Sequence, residues 1–123
     1  MFKLGETYTR AEIHELLGGS IQSFLPTVQG RVVCACLTKK MNPGAPFIIL
    51  VGSKPRVLQA GLTLAEQSAP IPVFLKEAPN AWMYNGLFSV LRVSNKNDGF
   101  ERFDLAGRTD IQLVLELGHA NGG

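Results

Sequence analysis

With 123 residues, 46% of them hydrophobic and 18% charged, the chain has the make-up of one soluble globular domain able to bury its own core, which excludes a disordered or low-complexity protein. Its longest nearly uncharged run, Ala45 to Val51, is far too short to span a bilayer, and the first ten residues hold no apolar signal core. A cytoplasmic protein without membrane contact is therefore expected. The net charge of +2 conceals an uneven distribution: no acidic residue lies between Glu15 and Glu66, a stretch that holds Arg31, Lys39, Lys40, Lys54 and Arg56. These five bases form either a polyanion-facing patch or a scatter around the fold.

In chain order, Phe2 to Leu4 reads as a short strand or an ordered arm. The first helix is the best-signalled element: Thr9 is placed to cap it, Glu12 stands where a capping box needs it, and Gly18 follows as a stop. Tyr8 and Ile13 occupy the staple positions, and Ile13, Leu16 and Leu17 form the inward stripe. His14 lies beside that stripe and Arg10 on its wetter side; with no nucleophile or metal partner nearby, His14 reads as a surface histidine. Gly18-Gly19-Ser20-Ile21-Gln22-Ser23 then exposes backbone N–H groups and short side chains, as a helix stop or as a loop for an anion or a base edge. It lacks the Gly-Lys-Ser/Thr ending of a phosphate-binding loop.

Arg31 to Leu37 reads as a buried strand. Its Cys34 and Cys36 point to one face, where a mutual bridge has poor geometry, and no second Cys or His pair completes a zinc site. Thr38 to Pro46 is a loop turned at Asn42-Pro43. Phe47 to Gly52 is a third strand, and Ser53 caps a helix with Pro55 in its first turn, running to about Gln67 with Gly61 as a close-packing point.

Ile71 to Lys76 and Trp82 to Val93 read as two strands around the turn Ala78-Pro79-Asn80. Trp82, Tyr84, Phe88 and Val90 share one parity and Met83, Leu87, Leu91 and Val93 the other, so the second strand is expected at the sheet centre, covered on both faces. Asn95 to Gly99 is a polar loop, Phe100 to Leu105 a strand, Ile111 to Leu117 a final strand, and residues 119–123 a disordered tail. The sum is an α+β single domain over residues 1–118, a curved or barrel-like mixed sheet of about seven strands with two helices packed outside.

Trp82-Met-Tyr84-Asn-Gly86-Leu-Phe88-Ser-Val90 resembles the central strand of PUA-like barrels, among them the SRA, EVE and ASCH domains. The pieces Tyr8-Thr-Arg10 with Ile13, Gly18-Gly-Ser20, Gln22, Asn42-Pro43, Ala45-Pro46 and Asn80-Ala-Trp82 with Tyr84 and Gly86 resemble an uncharacterised bacterial and fungal domain family. SRA domains flip a modified cytosine into a pocket, so this resemblance implies stacking aromatics and polar groups for a base edge.

The leading expectation is a non-catalytic nucleic-acid-binding module, a reader of modified or single-stranded DNA, without cofactor or metal. In it Trp82 or Tyr84 stacks on a base, Ser20, Gln22 and Asn42 meet the base edge, Ser23 is a further binding residue, and Arg31, Lys39, Lys40, Lys54 and Arg56 neutralise phosphates. Core packing is the competing role for Trp82 and Tyr84. Two alternatives stand beside it. One is a small-molecule or nucleotide-binding barrel with its pocket near Gly19–Ser23 and Trp82 under the Lys39–Pro46 loop; the other is a homodimeric interaction protein.

Overall fold

The computed structural model describes residues 1–120. Eight strands and two α-helices follow one another as β1 (Thr7–Tyr8), α1 (Arg10–Leu17), β2 (Thr27–Val28), β3 (Arg31–Val32), β4 (Ala35–Leu37), β5 (Ile48–Val51), α2 (Pro55–Ala65), β6 (Ile71–Ala78), β7 (Ala81–Asn95) and β8 (Leu113–His119). One mixed sheet runs β4-β6-β7-β8-β5, with β1 added to β7, and β2 and β3 form a separate hairpin. Only β4 and β6 pair in parallel; the other ladders of the sheet are antiparallel. The α+β architecture with a curved mixed sheet and two helices is the one the sequence implies.

Helix α1 starts as its sequence dictates. Thr9 Oγ1 accepts the backbone N–H of Glu12 at 3.1 Å, and Glu12 Oε1 accepts that of Thr9 at 2.8 Å. Ile13 is buried, but Leu16 points outward, so the inward stripe is narrower than expected. Helix α2 has Lys54 rather than Ser53 at its N-cap position, with no side-chain capping bond, and ends at Ala65. It stops early because the Gln67 side chain leaves the helix for the backbone of Val32, accepting its N–H at 2.6 Å and donating to its carbonyl at 3.1 Å.

Residues of β4 and β6 alternate between two cores. Ala35, Leu37, Ile71, Val73 and Leu75 pack with Leu64 of α2, whereas Cys36 and Phe74 pack with Ile13 of α1 and with Trp82. The doubly covered strands are therefore β4 and β6, not β7. Along β7 the register against β6 shifts between the Pro72 and Phe74 pairs, opposite Gly86 with its φ of 102°. A one-residue bulge exchanges the two faces of a strand. Hence Trp82 and Tyr84 join the α1 core while Phe88 and Val90, of the same parity, join the α2 core. Leu87, Leu91 and Val93 are exposed, Leu91 at 72%, beside a second register shift between Val90 and Arg92.

Other expectations change for identifiable reasons. The segment 31–37 is two strands, because the N–H of Val33 turns to the carbonyl of Pro26 at 2.9 Å. Phe2 to Leu4 forms no strand; Phe2 instead inserts edge-on against Tyr8 and Phe74, each with ring centroids 4.9 Å away. Phe100 to Leu105 is not a strand either: β7 and β5 already occupy both edges of β8, so Phe100, Phe103 and Leu105 pack instead on Leu50, Ile111 and Val114. Strand β8 extends to His119, opposite Phe88, so the expected disordered tail begins inside a strand; residues 121–123 lie outside the described residues. No helix among the described residues is long and apolar enough to cross a membrane.

Candidate functional site

Where the α1–β2 loop, the β4–β5 loop, the first turns of α2 and the β6–β7 turn converge, they enclose a cleft of about 650 Å³. Clefts of this size take nucleotides and other small ligands. Its lining brings the apolar side chains of Phe24, Cys36, Leu50, Val57 and Trp82 together with the cations Arg10, Arg56, Lys76 and Arg108. Among the described residues no carboxylate lines it.

Arg10 holds the site together. It is 9% exposed, with its Nη2 donating to the carbonyls of Ser20 at 2.9 Å and Ser23 at 2.8 Å. These bonds fold the loop after α1 back over the helix start. The turn needs Gly19, whose φ is 81° and where a Cβ would stand 2.7 Å from Cβ of Pro26. The Ser20 hydroxyl oxygen accepts the N–H groups of Gln22 and Ser23 at 3.0 and 3.1 Å, locking the same loop from within. The guanidinium carbon of Arg10 lies 5.3 Å from the Trp82 ring centroid, and Lys76 Nζ, across the strand pair, lies 5.7 Å from it. Two cations so placed are attracted to the indole face. His14 Nδ1 lies against the carbonyl of Gly19 at the same turn.

Trp82 is both a core residue and part of the cleft lining. At 8% exposure it packs on Ile13, Cys34, Cys36 and Phe74, yet its remaining surface forms cleft wall. Tyr84 is off the cleft, stacked among Phe2, Tyr8 and Phe74; burial, then the nearby Tyr8, push its phenol above the ordinary value. Behind Trp82 the two thiols are free and buried. The hydrogen bond with Cys36, and then burial, push the Cys34 thiol up, so it stays protonated.

Of the residues singled out from the sequence, Gln22, Ser23, Asn42, Arg56 and Trp82 line the cleft. Ser20 stands behind it as the loop's internal acceptor. Lys39, Lys40 and Lys54 are exposed outside its lining, and Arg31 lines a separate groove beside Leu16 and Pro70. The acid-free segment thus supplies one cleft cation, Arg56, and the other three come from elsewhere. Arg10, Lys76, Asn80 and Arg108 line the cleft without having been candidate site residues in the sequence. Arg10 sits on the wetter side of the helix by periodicity, and only the loop folded back over it makes it buried. Arg108 is aimed by its own neighbourhood: Nη1 donates to the carbonyl of Met41 at 3.2 Å, and Nε lies 3.4 Å from Asp110 Oδ1. Burial alone would raise the Asp110 carboxyl, but the Arg108 guanidinium, with the backbone N–H groups of Asp110 and Ser53, outweighs it and holds the group below its ordinary value. Among the described residues no cluster of three or more His, Cys, Asp or Glu is placed to hold a metal ion.

No family model and no curated protein matches the chain. Two solved structures share its fold. The SRA domain of SUVH5, in complex with hemi-methylated CG DNA, superimposes with a TM-score of 0.63 at 16% identity over 98% of this chain and 89% of that one. The Type IV phosphorothioation-dependent restriction endonuclease ScoMcrA superimposes with a TM-score of 0.58 at 16% identity over 95% of this chain but only 27% of the endonuclease. The chain therefore has an SRA-like fold.

Proposed function

We propose that this protein is a DNA-binding module that receives a nucleotide of the bound strand in the cleft beside Trp82. The observation that carries this reading is the cleft's charge: four cations and no carboxylate around an apolar, tryptophan-bearing wall. Such a site attracts phosphates at its rim and offers a base a dry surface inside. The fold supports it, since one structure sharing it is a DNA complex and the other is named for an activity on DNA. In finer form we read the module as a reader of modified or single-stranded DNA, because a base must leave the duplex stack to enter an enclosed cleft. We read it as non-catalytic, a site whose four lining cations hold an anion in place. The nuclease activity named for the endonuclease belongs to a chain of which this fold covers 27%, and is not carried over.

The motif resemblance to the bacterial and fungal domain family fits the same reading. Arg10, Gln22, Asn42, Asn80 and Trp82, scattered over that pattern, all line one cleft.

The test is anisotropy titration of labelled duplex and single-stranded oligonucleotides across a salt series. Affinity falls with log salt at about 0.9 per phosphate contacted on duplex DNA, and the Arg56→Ala, Lys76→Ala double variant lowers that slope by about two. Absence of binding to every oligonucleotide at low salt overturns the proposal.

A further inference from the structure

Helix α2 begins without a capping side chain: Lys54 stands at the N-cap position, makes no capping bond, and is followed by Pro55. The backbone N–H groups of Arg56 and Val57 therefore have no partner among the described residues, and both residues line the cleft. No acidic side chain stands in that first turn, so the positive end of the helix dipole is uncompensated within it. Asn42 points independently to the same corner. It is only 4% exposed, and its Oδ1 accepts the backbone N–H of Leu50 at 2.9 Å, which fixes the amide orientation. Its Nδ2 makes no hydrogen bond among the described residues, where every fully buried side-chain N or O atom has a partner. This donor therefore keeps open contact, and the cleft is the space that Asn42 lines. Arg108 joins Asn42 to the helix start. Its Nη1 donates to the carbonyl of the adjacent Met41 at 3.2 Å, while Nη2 lies 3.0 Å from where a Cβ on Gly52, just before the helix, would stand. The Asp110 carboxylate is also close to Gly52 but does not line the cleft; Arg108 and the N–H of Ser53 take it up.

We propose that this corner is a phosphate subsite, so that the protein binds a free deoxynucleoside monophosphate with its phosphate at the start of α2. The proposal deepens the DNA-binding reading, on which it rests, by assigning the phosphate group to one corner of the cleft. Unpaired first-turn N–H groups and the helix dipole together favour an anion. The guanidinium groups of Arg56 and Arg108 add charge-assisted bonds, and Asn42 Nδ2 adds a neutral one. A phosphate monoester offers acceptor oxygens in several directions, and it carries more charge than the diester inside a strand. Phe24, Leu50 and Trp82 in the same lining leave an apolar surface for the base, whose identity this corner does not read.

The experiment is isothermal titration calorimetry of the full chain with thymidine monophosphate and with thymidine, which lacks the phosphate. The monophosphate binds at least about tenfold more tightly, as one charge-assisted bond already supplies. Lys54 lies outside the lining, so two substitutions there separate the helix N–H groups from charge. Lys54→Asn brings a side-chain acceptor to those N–H groups, whereas Lys54→Ala removes the same charge and brings none. Lys54→Asn is expected to melt above Lys54→Ala and to bind the monophosphate about tenfold more weakly than Lys54→Ala does. Equal affinity for thymidine and its monophosphate overturns the proposal, and this wild-type comparison decides whether or not a variant folds. A Lys54→Asn variant that melts higher yet binds the monophosphate as Lys54→Ala does also overturns it. Oligonucleotide binding with no monophosphate binding overturns the proposal and leaves the DNA-binding reading standing, whereas monophosphate binding with no oligonucleotide binding overturns that reading alone.

Discussion

At the residue scale, Arg10 and Arg108 show how a cation becomes part of a site. Each is held by backbone carbonyls of another segment, Ser20 and Ser23 for Arg10 and Met41 for Arg108, so neither is a mobile surface charge. Replacing Arg10 with Met keeps much of its volume and removes both loop hydrogen bonds. A net loss of about 2 kcal/mol is expected from the removal of two part-buried hydrogen bonds to a charged donor, measured by urea denaturation, together with weaker DNA binding. A variant as stable as the wild type would show that the loop is held by other contacts. Asp110 sets a pH dependence. Its folded carboxyl is depressed, so the stabilisation by the Arg108 pair is fully present above the ordinary carboxylate value near about pH 4 and is lost as pH falls through the lower folded value. The melting-temperature gap between wild type and Asp110→Asn therefore narrows as the solution is taken from about pH 5 to about pH 2.5. A gap that stays constant over that range would mean the pair contributes nothing.

At the element scale, two features place the cleft: the bulge in β7 and the close seat of α2 on the sheet. The bulge lets one strand serve two cores, giving Trp82 to the α1 side and Phe88 to the α2 side. On the other face, Gly61 lets α2 approach β5 so closely that a Cβ there would stand 2.5 Å from Val51 Cγ1. Gly61→Ala sets two effects against each other. Helix propensity gains about 1 kcal/mol, and overpacking costs about 1–3 kcal/mol, with backbone displacement adding to the cost because Val51 is fully buried. The net expectation is destabilisation, read as a lower denaturation midpoint. Because Arg56, Val57 and Ala60 line the cleft from the same helix, DNA affinity should fall with it. A more stable variant would show that propensity outweighs the contact.

At the scale of the whole molecule, the sequence by itself determined the α+β class, both helices, the strand pair around Pro79 and much of the site's loop chemistry. These are local properties: a capping box, a proline at the start of a helix, glycines at a turn, apolar runs of strand length. Gln22, Ser23, Asn42 and Trp82, which line the cleft, were legible as candidates because loop polarity and a lone tryptophan at a strand start are local as well, and Arg56 because it falls in the acid-free stretch. Tertiary structure alone decided which cations line the cleft. Arg10, Lys76 and Arg108 lie 66 and 32 residues apart along the chain, and no run of charge marks them. It also decided that Phe100–Leu105 is not a strand, since both edges of β8 are already paired, and that residues of one parity in β7 part to opposite faces, since a bulge reverses the alternation. Strand periodicity is a rule about unbroken ladders, and side-chain convergence depends on where distant segments meet; neither can be read from neighbours in sequence.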